Sequence, residues 1–427
     1  MGKVFVSVII PIYNMEKYIR QCVYSIQSQS LKDIEILCIN DGSTDGSIKI
    51  IEEMALEDKR IRIITQEHKG VAEARNTGID LASGDYLSIL DADDFFEENM
   101  LENAFKRASS CEADICMFQS KRYIDGKIEV VSNSVRTEWI PKKVFCALDV
   151  KDRIFSLGPL WAWDKLYKRE LIQNNNIKFQ NLRSTNDARF VCIAFVLAKR
   201  ICVCENAFAI HRIGRKDSLS STREKSWDCF YKAIESTSET LKELNLYDTY
   251  VHALRNWILE FSIWNLMTLS YTVQGAVLDL IVNNIFPQYE ILKYTPDYYL
   301  LPDLYDKAIK MSQTQFLEEL RKTPKEMLDL SEEIRDYSNI VIYGAGRWGV
   351  EIYDKIMKEK KGVSILWVDK NWKRIANEKI TIRDPKEIRN FSYDRIVIAV
   401  ENRTSIAEIK AFLIQLSVKE EMIISRC

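Results

Sequence analysis

Acidic side chains recur directly after predicted β-strands in the first hundred residues. Asp41 lies in the sequence INDGSTDG, and Asp91, Asp93 and Asp94 lie in LDADD. In an open parallel sheet the loops after the strands meet at one edge, where ligands bind. Four carboxylates brought together there would repel one another and raise each other's pKa above the ordinary value. A divalent cation is the simplest way to offset this charge.

The cation that best suits such a cluster is Mn²⁺ or Mg²⁺. These ions are typically held by one or two carboxylates together with substrate phosphates and water. The pattern therefore predicts a Mn²⁺ or Mg²⁺ cofactor and a bound nucleotide diphosphate. A D-x-D triplet alone arises by chance, so its position directly after a buried strand carries the inference.

The elements that must position these residues alternate along the chain. Strands are predicted over residues 4–10, 34–39, 61–65 and 86–90, and Pro11 is expected to end the first of them. Helices are predicted between the strands, including residues 71–82, and a further helix over 187–198. This alternation predicts an α/β fold with a doubly wound, mostly parallel sheet. We expect this domain to cover residues 1–225.

Two further regions follow the predicted sheet domain. Residues 226–335 have a helical pattern, in which Trp257, Phe261 and Trp264 recur near helical spacing. These rings are expected in the core, or else in a groove for a lipid-linked acceptor or a partner helix. Residues 336–427 begin a new α/β unit, with strands over 340–343, 364–368 and 395–400. This last region is predicted to be a small Rossmann-like domain.

Length and composition exclude several classes of protein. The 427 residues predict two or three domains, and 60 Lys and Arg against 62 Asp and Glu leave no basic surface for nucleic acid. Ten cysteines without a CxxC motif and three histidines predict buried free thiols rather than a zinc cluster or disulfides. No apolar run approaches the ~20 residues of a membrane span, and the first residues lack a secretory signal pattern. We therefore expect a cytoplasmic protein with at most peripheral membrane contact.

Three segments together resemble one enzyme family. VSVIIPIYNMEKYI, INDGSTDGS and GVAEARNTGIDLASGDYLSILDADD follow one another within about the first hundred residues. They are similar, in the same order, to the nucleotide-binding half of family 2 glycosyltransferases of the GT-A fold. The resemblance implies a GT-A sheet that binds a nucleotide-sugar donor.

The resemblance also implies roles for residues on the donor side. Pro11, Tyr13 and Glu16 would line the pocket for the base and ribose, and Asp41 would accept a hydrogen bond from the base. For Glu16 a purely local role remains open, because a carboxylate in the first turn of a helix favours the helix dipole.

Further implied roles fall on the acidic triplet. Asp91 would bind the ribose side, with Ala92 beside it in the nucleotide site, and Asp93 would coordinate the metal. For Arg75 and Asn76, a role in shaping the pocket and an ordinary exposed helical face both remain open.

A second group of motifs resembles the acceptor side of the same family. The sequences WDKLYKRELI and TNDARF precede a helix, and many relatives carry Glu-Asp where this chain has Asn186-Asp187. Asp187 is the candidate general base, because an ionised carboxylate within reach of a sugar hydroxyl can take its proton. Asp187 is also a candidate N-cap of that helix, and the two roles are compatible.

A late basic segment resembles the family's loop over the diphosphate. His211 would complete the metal shell, and Arg212 and Arg215 would meet the diphosphate. A packed histidine and solvated arginines are the alternatives.

The last domain contains the sequence GAGRWG. A predicted strand precedes it, a predicted helix follows, and Asp369 lies twenty residues beyond Gly349, as in a dinucleotide-binding fingerprint. About 90 residues leave no room for a separate substrate domain, so a hydride-transfer enzyme is not expected. Nucleotide binding and a purely structural role both remain open.

Together these patterns predict an inverting glycosyltransferase of bacterial surface-polysaccharide synthesis. It would move a sugar from a nucleotide-diphosphate donor, with UDP-sugars expected, to a hydroxyl of a saccharide or lipid-linked saccharide in a single displacement. One alternative is an inactive transferase fold that senses nucleotides as a scaffold. Another is a bifunctional protein with a nucleotide-binding last domain. A homo-oligomer is compatible with each.

Overall fold

The chain forms two compact units, Met1–Thr314 and Gln315–Cys427. The computed structural model describes residues 3–124, 127–130, 134–213, 219, 222–269, 271–313, 316, 334, 337–359, 362–370, 372, 381–400 and 403–425. The first unit contains a ten-stranded sheet, and the second contains a four-stranded sheet.

The first unit alternates strands and helices and then becomes helical. Its strands are β1 (Val6–Ile12), β2 (Ile34–Asp41), β3 (Ile61–Gln66), β4 (Tyr86–Ile89), β5 (Phe95–Phe96), β6 (Ile115–Ile124), β7 (Lys127–Val130), β8 (Val144–Phe145), β9 (Lys165–Lys168) and β10 (Ile201–Arg212). Its helices are α1 (Ile19–Gln27), α2 (Ser47–Glu57), α3 (Val71–Leu81), α4 (Met100–Ser110), α5 (Arg169–Asn174), α6 (Ala188–Leu197), α7 (Cys229–Glu243), α8 (Tyr247–Thr268), α9 (Tyr271–Leu280), α10 (Phe286–Gln288) and α11 (Pro302–Met311). A π-helical turn joins α9 to α10.

The large sheet has the strand order β3-β2-β1-β4-β9-β6-β10-β5, with β7 beside β6 and β8 beside β10. Strands β1 to β4 pair in parallel, as do β6 and β10. Strand β9 lies antiparallel between β4 and β6. The carboxyl ends of β1, β2, β3 and β4 therefore lie at one edge of the sheet, where the predicted acidic loops begin.

The predicted strands and helices of this sheet are present, with ends within two residues of those expected. One detail of the prediction is wrong, because Pro11 does not end the first strand, which continues to Ile12. Strand β4 pairs with β1 only as far as Ile9. The end of β1 is thus paired on one side only, where a residue without an N–H is tolerated.

Strand β1 is buried on both faces because its run of apolar residues is continuous. One face contributes Val6, Val8 and Ile10 to a core shared with α1, α2 and α4. Helix α3 packs against the other face, where Gly78 lies against Ile9. A Cβ added at Gly78 would lie 2.3 Å from Ile9 Cγ2. The missing side chain at this position sets how closely α3 approaches the sheet.

The later helices pack back onto the α/β part of the first unit. Helix α7 contacts α6, and α8 contacts α7 and α11. Trp257 is buried as predicted, whereas Trp264 is 48% exposed with the Arg223 guanidinium 4.2 Å from its ring centre. The compact first unit extends to Thr314. The predicted domain boundaries after residues 225 and 335 remain predictions.

The described residues also bear on two compositional predictions. All nine described cysteines are free thiols, and eight of them are buried. Among the described helices, none combines the length and the apolar character needed to cross a membrane.

The second unit is a parallel four-stranded sheet with the order β12-β11-β13-β14. Its elements are β11 (Asn339–Tyr343), α12 (Arg347–Glu359), β12 (Ser364–Val368), β13 (Arg395–Ile398), α13 (Arg403–Gln415) and β14 (Ile423–Ser425). Gly344 has φ +115, and a Cβ added at Gly349 would lie 2.1 Å from the Gly344 carbonyl oxygen. The turn between β11 and α12 therefore requires glycine at both positions.

Replacing Gly78 by alanine is expected to destabilise the first unit by about 1–3 kcal/mol, because the added methyl group overpacks the contact with Ile9. Gly275 is a matched control in α9, where an added Cβ would meet no described atom within 4 Å apart from its chain neighbours and its own helix backbone. Gly275→Ala should raise stability by about 0.5–1 kcal/mol through helix propensity. Urea unfolding of the two variants measures both effects, and equal midpoints would contradict the assigned packing.

Candidate functional site

Two loops at the carboxyl edge of the sheet bind each other through side chains. After β1, the Asn14 Oδ1 accepts from Thr44 N (2.8 Å), and Met15 N donates to Ser47 Oγ (2.7 Å). Glu16 N donates to Asp45 Oδ2 (3.0 Å), and the Glu16 carboxylate accepts from the N–H of Gly46 (3.2 Å). The Glu16 side chain thus joins the loops after β1 and β2 while remaining exposed at the edge of the site.

Asp41 ends β2, and its buried carboxylate accepts three hydrogen bonds and lies beside one imidazole. Oδ1 accepts from Gln66 Nε2 (2.7 Å) and Lys69 N (2.9 Å). Oδ2 accepts from Gly70 N (2.8 Å) and lies 2.8 Å from His68 Nδ1. These donors come from residues 66–70, which are the last residue of β3 and the loop after it, and which we call the base-side loop. Asp41 therefore fixes that loop, and its contact with a base remains a prediction.

The base-side loop presents an aromatic pair. The ring of His68 stacks on Tyr13 with centroids 4.0 Å apart and an interplanar angle of 22°. Tyr13 is 41% exposed, whereas Pro11, two residues earlier, is buried in β1. Tyr13, Asp41 and His68 thus form one corner of the edge, with a flat, exposed face of the kind that a base can stack on. His68 had no sequence signal, because it contacts Asp41 across 27 residues.

The turn over residues 91–94, which we call the acidic turn, joins β4 to β5. Asp94 is buried, and its carboxylate accepts from Arg212 N (2.7 Å) and binds His211 Nδ1 (2.9 Å). The Asp93 carbonyl accepts from Arg212 Nε (2.9 Å). Ala92 is buried between the acidic residues. The structure therefore brings the acidic turn and His211 together, through the bond between Asp94 and His211.

Arg212 lies in an aromatic surrounding at this turn. Its guanidinium lies 4.7 Å from the ring centre of Tyr123 and 5.2 Å from that of Tyr18, and it donates to Gln21 Oε1 (2.6 Å). These contacts hold the end of β10 against the acidic turn. Contact of Arg212 with a diphosphate remains a prediction, and Arg215 lies outside the described residues.

Charge is concentrated at the acidic turn. Burial raises the pKa of Asp94 to about 6, with opposition from His211 and a further upward contribution from Asp93 and Asp91. For His211, burial lowers the pKa, but the negative charge of Asp94 and its hydrogen bond outweigh burial and raise it above the ordinary value. The described hydrogen bonds of His211 use Nδ1, which leaves Nε2 as the nitrogen that could bind a metal.

Two tryptophans form a wall beside His211. Trp163 stacks on His211 with centroids 5.3 Å apart, and Trp161 stacks on Trp163 at 4.7 Å. Trp163 is buried and Trp161 is partly exposed. The backbone of this segment is held by Lys165, whose Nζ donates to Trp161 O (2.8 Å) and pairs with the buried Asp164 carboxylate. The wall therefore restricts the position of the imidazole.

Asp187 directly precedes α6 at its N-cap, but its side chain makes no capping hydrogen bond. The capping alternative is therefore wrong as an account of this carboxylate, although the position in the chain is as predicted. Burial raises the pKa of Asp187, and the positive charge of Arg75 opposes that rise. A carboxylate of raised pKa is suited to accept a proton near neutral pH.

Arg75 connects the donor side with the acceptor side. It is buried on α3, where its Nη2 donates to Asp91 Oδ1 (2.5 Å) and its Nη1 donates to Asn186 Oδ1 (2.6 Å). Asn76 is also buried and exchanges two hydrogen bonds with the backbone of Phe179. The exposed-face alternative for these two residues is thus wrong. Sequence patterns gave no sign of these bonds, because Arg75 and Asn186 are 111 residues apart.

The donor set at the acidic turn fits a divalent cation that also binds phosphate. Among the described residues, no three His, Cys, Asp or Glu side chains are grouped closely enough to hold an ion unaided. A carboxylate and an imidazole from Asp93 and His211 are ligands that Mn²⁺ accepts, and Mg²⁺ commonly takes one or two carboxylates plus substrate phosphates. The charge that raises the pKa of Asp94 is also of the sign that a cation offsets.

Comparison with known proteins identifies the first unit. The sequence profile of Glycosyl transferase family 2 matches residues 7–174. The uncharacterized glycosyltransferase EpsJ of Bacillus subtilis (strain 168) is 31% identical over 262 residues, which cover 57% of this chain and 74% of EpsJ. The chain therefore belongs to glycosyl transferase family 2. Glycosyltransferase GlyA of Streptococcus pneumoniae serotype 4 is 30% identical over 242 residues, 55% of this chain but only 34% of GlyA.

A solved structure shares the fold. S. aureus TarS 1-349 in complex with UDP-GlcNAc superposes with a TM-score of 0.57 at 23% identity, covering 74% of this chain and 92% of that chain. The predicted α/β class of the GT-A type is thus confirmed. Residues 336–424 match a different profile, that of the C2185-like N-terminal domain. The second unit is therefore a separate parallel α/β domain, and its Rossmann-like character is not confirmed.

The Asp41→Asn variant is expected to lose about 1–3 kcal/mol of stability, because an amide nitrogen would face an N–H donor of the base-side loop. Asp80→Asn on α3 is the control, since the Asp80 side chain is 62% exposed and its ion pair with Lys178 contributes little. Urea unfolding of the two variants measures these changes in stability. Unchanged stability in Asp41→Asn would contradict its role in fixing the loop.

Proposed function

We propose that the chain is an inverting glycosyltransferase that moves a sugar from a nucleotide-diphosphate donor to a hydroxyl of a saccharide. The observation that carries this proposal is the pair of hydrogen bonds from Arg75 to Asp91 and Asn186. These bonds support a single site that includes the acidic turn of the donor side and Asp187, the residue after Asn186. A sugar transfer needs groups that hold the diphosphate and a group that accepts the hydroxyl proton, and these are the roles proposed for the acidic turn and for Asp187.

In the proposed reaction, Asp187 takes the proton of the acceptor hydroxyl. The acceptor oxygen forms a bond to the anomeric carbon while the bond from that carbon to the diphosphate oxygen breaks, and the electron pair leaves with the nucleotide. Attack from the opposite face inverts the anomeric carbon. Asp91 would bind the ribose, Tyr13 would stack with the base, and Arg212 and Arg215 would lie near the departing diphosphate.

The cofactor in this proposal is Mn²⁺ or Mg²⁺, held by Asp93 and His211 together with diphosphate oxygens. When bound, the ion would offset the negative charge that develops on the leaving group. Asp94 positions His211 through Nδ1, and the tryptophan wall restricts the ring, so Nε2 has a defined direction. A partner carboxylate on the second ring nitrogen is common for metal-binding histidines.

UDP-sugars are the proposed donors, and the setting is surface-polysaccharide synthesis in a bacterial cytoplasm. The solved complex of S. aureus TarS 1-349 with UDP-GlcNAc supports the donor class, because that protein shares the fold. Relatives named glycosyltransferases support transfer as the activity. The proposed acceptor is a saccharide, free or linked to a lipid. Peripheral membrane contact would bring the protein to a lipid-linked acceptor.

The Asp187→Asn variant is expected to bind UDP normally but to lose transfer by about 10²–10⁴-fold, because the proton acceptor is gone. A panel of UDP- and GDP-sugars with Mn²⁺ identifies the donor by hydrolysis or transfer, and EDTA should stop the reaction. Asp228→Asn is the control, since Asp228 likewise precedes a helix, α7.

Two outcomes would contradict this proposal. Full transfer by Asp187→Asn would remove the base assignment. Tight UDP binding by a wild-type chain that neither hydrolyses nor transfers any donor would favour the alternative, a nucleotide-sensing scaffold.

A second proposal is that the other compact unit binds a nucleotide at the turn between β11 and α12. The glycine geometry favours it: Gly344 makes the tight turn and Gly349 permits the close packing of the helix. A Cβ at Gly346 would meet no described atom within 4 Å apart from its chain neighbours, so that backbone is open to a phosphate. Asp369 Oδ2 accepts from Ala345 N (2.8 Å) and holds the turn. The protein would then be bifunctional.

The Gly346→Val variant tests this second proposal, because valine fits the turn but fills the space for a phosphate. Calorimetric titration of the full chain with NAD is expected to show binding that Gly346→Val abolishes, with donor hydrolysis unchanged. Absence of NAD binding, or equal binding by Gly346→Val, would contradict a dinucleotide site at this turn.

A further inference from the structure

Arg75 occupies a buried position between two loops that are distant in sequence. Its guanidinium donates to Asp91 in the acidic turn and to Asn186 at the end of the segment that leads into α6. We call residues 176–187 the acceptor segment. The side chain of Arg75 is 7% exposed, so water cannot replace either bond at low cost.

The surroundings of Arg75 hold it in one orientation. The guanidinium carbon lies 5.0 Å from the ring centre of Phe179, which stacks on Phe190 of α6 at 4.1 Å. The neighbouring Asn76 side chain accepts from Phe179 N (2.8 Å) and donates to Phe179 O (3.1 Å). Two consecutive residues of α3 therefore hold the acceptor segment at both of its ends.

We propose that Arg75 is a positioning residue that couples donor binding at Asp91 to the placement of the acceptor base Asp187. A planar guanidinium can hold two acceptors at a fixed mutual distance, which a lysine ammonium cannot do in the same geometry. A shift of Asp91 on binding a donor would be transmitted to Asn186 and to the adjacent Asp187. This inference rests on the proposed transferase function and adds to it a residue that contacts neither the reacting atoms nor the metal.

Charge provides a second consequence of the same arrangement. The groups that face Asp187 are Arg75 on α3, Asp91 in the acidic turn, Asp164, Lys165 and Tyr167 in and before β9, and Cys192 on α6. Burial raises the pKa of Asp187, while Arg75 lowers it more strongly than Lys165 does. Removing the guanidinium should therefore raise that pKa further, so that a higher pH is needed to ionise the base.

Asn186, the residue before the proposed base, strengthens the action of the Arg75 charge on the pKa of Asp187. Asn186 is neutral and buried, and it accepts from Arg75 without adding a negative charge. The positive charge of Arg75 is therefore offset by Asp91 and Asp187. Burial lowers the pKa of the guanidinium, but these two carboxylates outweigh burial and raise that pKa above its ordinary value. A carboxylate in place of Asn186 would share that charge and weaken its action on Asp187.

Arg75→Met in the full chain tests the inference. At pH 7 kcat should fall about 10²-fold, because the base is misplaced and less ionised. The loss should shrink as the pH rises to 9, since the acidic limb of the pH–rate profile moves to higher pH. The Kd for UDP with Mn²⁺, measured by calorimetry, should rise about tenfold, because Asp91 loses its partner.

Two further variants separate positioning from folding. Arg75→Lys keeps the charge but not the two fixed bonds, so its kcat should fall while its acidic limb stays at the wild-type pH. Arg255→Met is the matched control on α8, because Arg255 is likewise buried and donates to the Tyr289 carbonyl and to Glu290, outside the acidic turn and the acceptor segment. It should keep the wild-type profile.

A merely structural role would lower the rate of Arg75→Met equally at every pH, and that result would overturn the inference. A wild-type Kd for UDP in Arg75→Met would overturn it as well, whether or not the chain transfers sugar. Failure of the transferase proposal is distinct, because it would appear as a wild-type chain that binds UDP without turning over any donor.

Discussion

Carboxylates gathered at the edge of a buried sheet are stable only where positive charge or N–H donors offset them. In the first unit three of these carboxylates have separate partners. Backbone and side-chain donors of the base-side loop bind Asp41, Arg75 binds Asp91, and His211 with the Arg212 N–H binds Asp94. Because each partner comes from a different part of the chain, these bonds also fix the loops relative to one another. Charge compensation thus builds the site.

The carboxylates differ in how fully their negative charge is compensated, and this difference matches their proposed roles. The Asp41 carboxylate accepts three hydrogen bonds, lies 2.8 Å from His68 Nδ1, and is a fixed part of the framework. Burial raises the pKa of both Asp94 and Asp187, so negative charge costs more at these two positions. Asp94 lies beside the proposed metal ligands, where a cation would reduce the cost of its negative charge. The other is the proposed base, for which a pKa nearer neutrality makes proton transfer easier in both directions.

The sequence predicted those parts of the fold and site that have a local signal. Strand β1 is a continuous apolar run, and β2 to β4 are short segments rich in apolar residues between turn residues, so the local sequence pattern located them. Strands β5 and β8 have two residues each, too few for any pattern. Likewise, Asp93, Asp187 and His211 are candidates because they lie in motifs, whereas the contacts of Arg75 with Asn186 and of His68 with Asp41 join residues far apart. Pairings of that kind depend on the packed structure.

Helix α3 connects the packing of the core with the geometry of the site. Gly78 brings the helix close to β1, and three residues earlier Arg75 reaches the acidic turn from the same helix. Between them, Asn76 holds the acceptor segment through Phe179. Because interiors are close-packed, moving α3 away from the sheet would displace the donor-side and acceptor-side bonds together. The separation between the two halves of the site is therefore set by how closely one helix packs on one strand.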